Sequence, residues 1–266
     1  MHRSYLFVPG NRPDRYEKAC QSRAHAVIVD LEDAVAADAK DAARSALVDW
    51  LPRAPRAVLV RVNAADSEWF DDDARLAAAP NVAGLLLPKA ERVDDVRRTA
   101  AVRADVAVYP LIETAQGLWN ALALAQAPGV QALLFGSLDF QADLGTSDED
   151  LLFARSQLVL VSRVARIAAP IDGVTQSIDD GGAVRRDAER GRRLGFGGKA
   201  CIHPNQVDIV NDCFAPTAEE IRWAEAIVAA FAKSAGDAVR VDGRMVDRPV
   251  LLKAQAILSA RASEAS

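Results

Sequence analysis

Residues 104–145 read ADVAVYPLIETAQGLWNALALAQAPGVQALLFGSLDFQADLG. A β-rich run, Val106–Ile112, ends in Glu113, and a second apolar run, Ala132–Phe135, ends in Gly136, Ser137 and then Asp139. Between them Gly117–Ala127 has helical spacing and is closed by Pro128-Gly129. Strand, helix, strand predicts a parallel pair joined by a right-handed crossover. An acidic side chain then stands at each strand's C-terminal end, about 5 Å apart for adjacent strands. Two carboxylates that close repel and raise one another's pKa. A hard divalent cation resolves the conflict, and Mg2+ prefers one or two carboxylates plus water and substrate oxygens. Taken singly, each is equally an ordinary loop carboxylate.

The same alternation extends outward from this stretch. Tyr5–Val8, Ala26–Leu31, Ala57–Val62 and Gly84–Leu87 precede it as short apolar strands, and Pro170–Val174 and Gly198–Ile202 follow. Helical segments separate them: Arg15–Ser22 with Asp14 as N-cap candidate, Ala37–Leu51, Asp66–Ala78, Asp94–Val102, Glu149–Ala168 and Val184–Leu194. Eight β-α units fit an α/β fold of the (β/α)8 TIM-barrel type, whose usual length is about 250 residues. A doubly wound open sheet is the alternative, but VPGNRP after the first strand lacks the GxGxxG spacing of that fold. The reading assigns 1–212 to the barrel and 213–266 to a C-terminal extension that packs on or over a neighbouring subunit. In the extension, Thr217–Ala235 is a helix with Thr217 and Glu220 as a capping box. Val239–Asp247 follows as a hairpin turning at Asp242-Gly243, then a last helix, Pro249–Ala260.

Composition excludes several function classes. The chain has 266 residues, half of them hydrophobic, so it can bury a sizeable core. A net charge of −5 leaves no basic stripe for nucleic acid, and no apolar run approaches the roughly 20 residues of a spanning helix. MHRSYLFVPG has no signal-peptide apolar core, and the three cysteines, with no CxxC, suit a reducing cytoplasm.

In a barrel the chemistry gathers at the strands' C-terminal ends. Those ends carry Asn11, Arg12, Glu32, Asp33, Arg61, Asn63, Lys89, Glu113, Ser137, Asp139, Gln176 and His203. Arg61 lies inside an apolar strand, where a buried guanidinium needs an anionic partner. The reading gives Glu113 and Asp139 to Mg2+ and the guanidinium fork of Arg61 to the carboxylate of a 2-oxo acid. A cation there offsets the negative charge that C–C cleavage or condensation builds beside a carbonyl. Glu32 and Asp33 either hold the ion's waters or are simply helix N-terminal acids. Two rival chemistries are open: a Schiff base on Lys89, and a nucleophilic Cys201 paired with His203 on one strand face.

The motifs RSYLFVPGNRPDRYEKA, VIVDLEDAV, VLVRVN, GLLLPKAE, PLIETAQG, LLFGSLDF, PIDGV and GFGGKACIHPNQV, in this order, resemble the citrate lyase beta-subunit-like branch of the aldolase/citrate lyase superfamily. The resemblance covers essentially the whole chain. It implies a barrel, Mg2+, homotrimers or hexamers, and lyase or condensing chemistry on short β-hydroxy acids, often CoA or acyl-carrier thioesters. By the same resemblance Glu113 and Asp139 are metal ligands and Arg61 binds the substrate carboxylate. Arg12, Arg15 and Lys18 fall where CoA-using relatives hold CoA phosphates. GRMVDRPVLLKAQAIL resembles a tail that offers an Asp to a neighbouring subunit's site as catalytic acid/base, and Asp247 occupies that place; otherwise Asp247 caps the final helix. None of His2, His25 and His203 follows the second strand, which favours this branch over simple pyruvate aldolases. The expected activity is Mg2+-dependent cleavage of a citryl-, citramalyl- or malyl-type thioester, or of a hydroxy acid. A condensing enzyme, a thioesterase and a non-catalytic lyase subunit are the alternatives.

Overall fold

Apolar runs without alternation imply strands buried on both faces, and the structure shows eight of them. They are β1 (Ser4–Pro9), β2 (Ala26–Asp30), β3 (Val58–Arg61), β4 (Val82–Leu87), β5 (Ala107–Ile112), β6 (Leu134–Phe135), β7 (Ile171–Asp172) and β8 (Gly198–Cys201). The structure is a computed structural model and describes residues 2–103, 105–232, 239–241 and 244–262. All eight strands run parallel in chain order and close into a barrel, β1 pairing β8 through Ser4 opposite Lys199. Closure excludes the open doubly wound sheet.

Alternate strand residues serve two cores. Tyr5, Ile28, Leu59, Leu86, Leu111, Leu134 and Ile171 fill the barrel interior. Leu6, Val29, Val60, Leu85 and Ile112 point the other way, into the layer shared with the surrounding helices. This double burial is why no strand reads as apolar–polar alternation.

Several local expectations are corrected. Asp14 does not cap a helix: it lies inside a 3-10 turn, Pro13–Arg15, and pairs with Arg12 at 2.8 Å. The single helix expected over Gly117–Ala127 is two short ones, Ala115–Trp119 and Ala121–Ala125, broken at Asn120. Two helices were not anticipated. Ser137–Leu144 begins directly at the end of β6 and stops at Gly145, whose φ of 65° is a left-handed terminator. Pro204–Phe214 opens on a proline, which favours a helix's first turn.

The chain divides into two compact units, the barrel up to Phe214 and a second beginning at Ala215. The second unit contains helices Ala218–Ala232 and Arg248–Ala262 and an antiparallel pair, β9 (Val239–Val241) and β10 (Arg244–Val246). Ala224, Ile227, Val246 and Ala254 form its core. The capping box is present: Thr217 Oγ1 accepts from the Glu220 N–H at 3.1 Å, and Glu220 Oε2 from the Thr217 N–H at 2.7 Å. The Asp242-Gly243 turn and residues 233–235 of the expected helix lie outside the described residues. Among the described residues, no helix is long and apolar enough to cross a membrane.

Candidate active site

The C-terminal strand ends surround a cavity of about 390 Å³. Its lining includes Phe7, Leu111 and Leu134 from the interior core, together with Asp33, Arg61, Glu113, Ser137 and Asp139. Five residues expected at the strand ends therefore do converge. Others do not. Asn63 is buried against Asp73, which accepts from its backbone and side-chain nitrogens. Gln176 lines a smaller neighbouring cleft, and His203 Nδ1 accepts from the Asn205 N–H.

Glu113 immediately follows β5, and its side chain is buried, the residue being 2% exposed. Oε1 accepts from the Lys89 backbone N–H at 2.7 Å, while Oε2 has no hydrogen-bond partner among the described residues. Burial, reinforced by the negative charge of Glu32 and then of Asp139, pushes its pKa up to about 8. Asp139 is exposed in the first turn of Ser137–Leu144, so it stands on a helix rather than in a loop trailing the strand.

Gly136 makes room for this arrangement. A Cβ there would lie 2.5 Å from Glu113 Cβ and 2.7 Å from Glu113 Oε2. Its φ of −87° is open to any residue, so the requirement is space and not backbone conformation. Gly136→Ala is expected to displace the Glu113 carboxylate and lower turnover roughly 100-fold, the scale of a 1 Å misplacement. Steady-state kinetics beside a melting curve will show whether the loss exceeds any change in fold stability.

The expected role of Arg61 needs correction. Its bidentate edge is already occupied: Nε donates to Asp30 Oδ1 at 2.7 Å and Nη2 to Asp30 Oδ2 at 2.6 Å. Asp30 stands opposite Arg61 in the β2–β3 register, which makes this pairing direct. The fork is therefore not open to a substrate carboxylate. Nη1 instead faces Glu32 at 3.0 Å and Asp33 at 3.4 Å, and the guanidinium lies 5.1 Å from the Phe7 ring centre. Burial works against the charge, but the Asp30 pairing outweighs it and holds the Arg61 pKa above its ordinary value. Asp30, the one polar residue within AVIVD, is the anionic partner that a buried guanidinium at Arg61 needs.

Glu32 carries the network onward. Its Oε1 is 3.3 Å from Lys89 Nζ and its pKa is pushed up to about 7, by burial first, with Arg61 pulling the other way. The ends of β2, β3, β4 and β5 are thus tied through Asp30, Arg61, Glu32, Lys89 and Glu113. Buried Lys40 fixes the same loop by donating to the Leu31 and Glu32 carbonyls at 2.9 and 3.0 Å.

The rival chemistries lose support. A Schiff-base lysine needs a depressed pKa, whereas desolvation of Lys89 is outweighed by Glu32 and its pKa is raised. Cys201 belongs to the buried layer outside the barrel, and burial pushes its thiol up to about 12. A cysteine so placed is inert.

Among the described residues, no group of three or more His, Cys, Asp or Glu side chains converges in metal-holding geometry. Mg2+ does not need one, because waters and substrate oxygens complete its octahedron. The unpartnered, buried Oε2 of Glu113, with Asp139 on the same cavity wall, is a hard-oxygen donor set that fits such an ion.

The sequence also matches the model of the HpcH/HpaI aldolase/citrate lyase family over residues 3–204, a span that holds every cavity side chain described above. The chain belongs to this family. Among its relatives in the HpcH/HpaI aldolase/citrate lyase family, a citrate lyase subunit beta-like protein of Deinococcus radiodurans is 40% identical, covering 97% of this chain and 96% of that protein. A (3S)-malyl-CoA thioesterase of Cereibacter sphaeroides is 37% identical over 98% of this chain and 97% of its own. The crystal structure of CitE from Mycobacterium tuberculosis in complex with magnesium, acetoacetate and coenzyme A matches with a TM-score of 0.86 at 32% identity, covering 98% of both chains. The family resemblance carried by the eight motifs is therefore borne out.

Proposed function

We propose that this protein is a Mg2+-dependent carbon–carbon lyase that cleaves a β-hydroxyacyl thioester, or the corresponding hydroxy acid, into a 2-oxo acid and an acyl product. The observation that carries the reading is Glu113. It is a buried carboxylate with one unpartnered oxygen, facing the same cavity as Asp139 at the active end of the barrel. A structural relative's magnesium, acetoacetate and coenzyme A support it.

Glu113 and Asp139 hold the ion, and Mg2+ supplies Lewis-acid stabilisation of negative charge developing on a carbonyl oxygen. Arg61 Nη1, oriented by the Asp30 fork, adds positive charge beside the site, and Glu32 and Asp33 accept hydrogen bonds from ordered water. Phe7, Leu111 and Leu134 keep bulk water from the cavity floor. In the cleavage the bond between the hydroxyl-bearing carbon and the acyl α-carbon breaks, and the acyl carbon keeps the electron pair. The proton lost by the hydroxyl is balanced by the proton gained at that carbon. We assign this acid/base work to Asp247 of a neighbouring subunit in a homotrimer or hexamer. Within its own chain Asp247 Oδ1 accepts from the Val250 N–H at 3.2 Å, a helix-cap contact. Exposed Arg12, Arg15 and Lys18 are the proposed contacts for CoA phosphates, and the compartment is proposed to be the cytoplasm.

The 37% identity to a malyl-CoA thioesterase favours hydrolysis as the second reading. Product analysis separates the two. With malyl-, citramalyl- and citryl-CoA plus Mg2+, the lyase releases a 2-oxo acid and leaves the acyl thioester intact, and chelator stops it. Free CoA thiol without 2-oxo acid establishes the hydrolase instead. Condensation of acetyl-CoA with glyoxylate identifies a synthase, and Mg2+-dependent 2-oxo acid binding without turnover a non-catalytic subunit.

A further inference from the structure

Three non-glycine residues among those described have a positive φ: Asn81, Lys89 and Arg166. Asparagine tolerates that region, and Arg166 terminates helix Leu152–Ala165, where a left-handed residue is common. Lys89 has neither reason. It follows Pro88 in the turn directly after β4 with a φ of 48°, a place that ordinarily falls to Gly or Asn. Its neighbours hold the strain in place. The Ala90 N–H donates to the Leu111 carbonyl at 3.2 Å, and Gly117 closes on the Ala90 carbonyl, where a Cβ would come within 2.8 Å. Backbone strain persists where the surroundings over-determine it, and it gathers at active sites.

The lysine makes two contacts, one to each of two buried acids. Its backbone N–H donates to Glu113 Oε1 at 2.7 Å, which leaves Oε2 as the open oxygen. Its Nζ stands 3.3 Å from Glu32 Oε1, an atom closed to water and without a hydrogen-bond partner among the described residues. Glu32 Oε2 faces Arg61, which also serves Asp30 and Asp33. Glu32 is near enough for its charge to act on Glu113. A glycine at this position would keep the backbone contact without strain and lose only the ammonium. The side chain is therefore what the strained position carries.

We propose that Lys89 is a positioning residue of the active site: its N–H fixes which oxygen of Glu113 stays open, and its ammonium holds the Glu32 carboxylate back from competing for the same ion. The inference rests on Mg2+ binding at Glu113 and Asp139 and deepens the lyase reading. Without the ammonium, Glu32 keeps one cation that two other acids already share, and its charge adds to that of Glu113 and Asp139. Metal affinity then rises while turnover falls, because a displaced carboxylate adds attraction and spoils geometry together.

Calorimetry of the metal-free full chain with MgCl2, melting curves, and steady-state kinetics on malyl-, citramalyl- and citryl-CoA test this. Lys89→Gly relieves the strained φ and is expected to melt within a few degrees of the wild type. It is expected to bind Mg2+ about fivefold more tightly, the effect of one unit charge near the site. Its kcat is expected to fall about 100-fold. Lys89→Asn, which also tolerates the left-handed backbone, should behave in the same way. Lys89→Arg keeps the charge and should stay within about twofold in Mg2+ affinity and about tenfold in kcat. Adding Glu32→Gln to Lys89→Gly should return Mg2+ affinity to the wild-type value. Unchanged affinity and kcat in the folded Gly and Asn variants overturn the assignment. Affinity weakened together with Tm, the mark of a purely structural lysine, overturns it too, as does an affinity gain that Glu32→Gln leaves standing. A wild-type chain that takes up no Mg2+ removes both readings. The affinity shift without cleavage of any thioester supports the role of Lys89 and removes the lyase reading alone.

Discussion

Glu113→Gln is expected to lower Mg2+-dependent turnover about 1000-fold or more, roughly 4 kcal/mol of transition-state stabilisation. The amide keeps an oxygen to accept from the Lys89 N–H but loses the charge that holds the ion. The same substitution is expected to stabilise the metal-free protein at alkaline pH. Glu113 is raised from the ordinary 4.5 to about 8, and Glu32 from 4.5 to about 7. Both carboxyls bind their protons more tightly in the folded chain than in the unfolded one. Their contribution to stability is therefore fully present below about pH 4.5 and is lost as pH rises through 7 and 8. Melting curves of chelated protein should fall in Tm between pH 6 and 8.5, and Mg2+ should restore the loss at the upper end. In Glu113→Gln the fall should flatten, the Tm at pH 8.5 should rise by a few degrees, and the Mg2+ response should vanish. A variant that still gains stability from Mg2+ and still turns over would remove Glu113 from the site.

Arg155→Leu is expected to be the most damaging change away from the cavity floor. Arg155 is 3% exposed and donates from Nε to Asp172 Oδ1 at 3.1 Å and from Nη2 to Asp148 Oδ1 at 2.7 Å. Its guanidinium lies 5.2 Å from the ring centre of Phe135 on β6. Asp172, fully buried at the end of β7, also accepts from the Gly173 N–H at 2.9 Å. Losing the arginine strands that carboxylate without its counter-ion, a cost of about 3–5 kcal/mol. For a chain of this size Tm should drop by roughly 6–15 °C. Asp172→Asn in the same chain should recover part of the loss by removing the stranded charge, and a melt of the double variant checks this. The position matters to the site because Gly173 packs against Ser137: a Cβ on Gly173 would meet Ser137 Oγ at 2.6 Å.

The barrel was legible because its signal is local and repeated. Eight apolar runs and the segments between them set strand order through short connections, and all eight strands stand where the runs predicted. Glu113 and Asp139 were legible for a related reason: each ends an apolar run, and parallel closure brings such ends to one face. Ser137–Leu144 was not legible, because an eight-residue helix that begins immediately after a strand shows too few turns to display its period. Arg155 was hidden inside a helix otherwise read for its apolar spacing, since nothing in the chain near it names Asp172 as its partner.

The sequence by itself determined the closed parallel barrel, the face on which chemistry gathers, and the two acids that frame the cavity. These follow from periodicity and from where each run stops. The tertiary structure decided the charge relations. It showed that the fork of Arg61 belongs to Asp30, that Glu32 bridges Arg61 and Lys89, and that Gly136 is absent of side chain so that Glu113 can stand there. Pairing between ionic groups depends on distances of about 3 Å between residues tens of positions apart, and those are fixed only when strand register is.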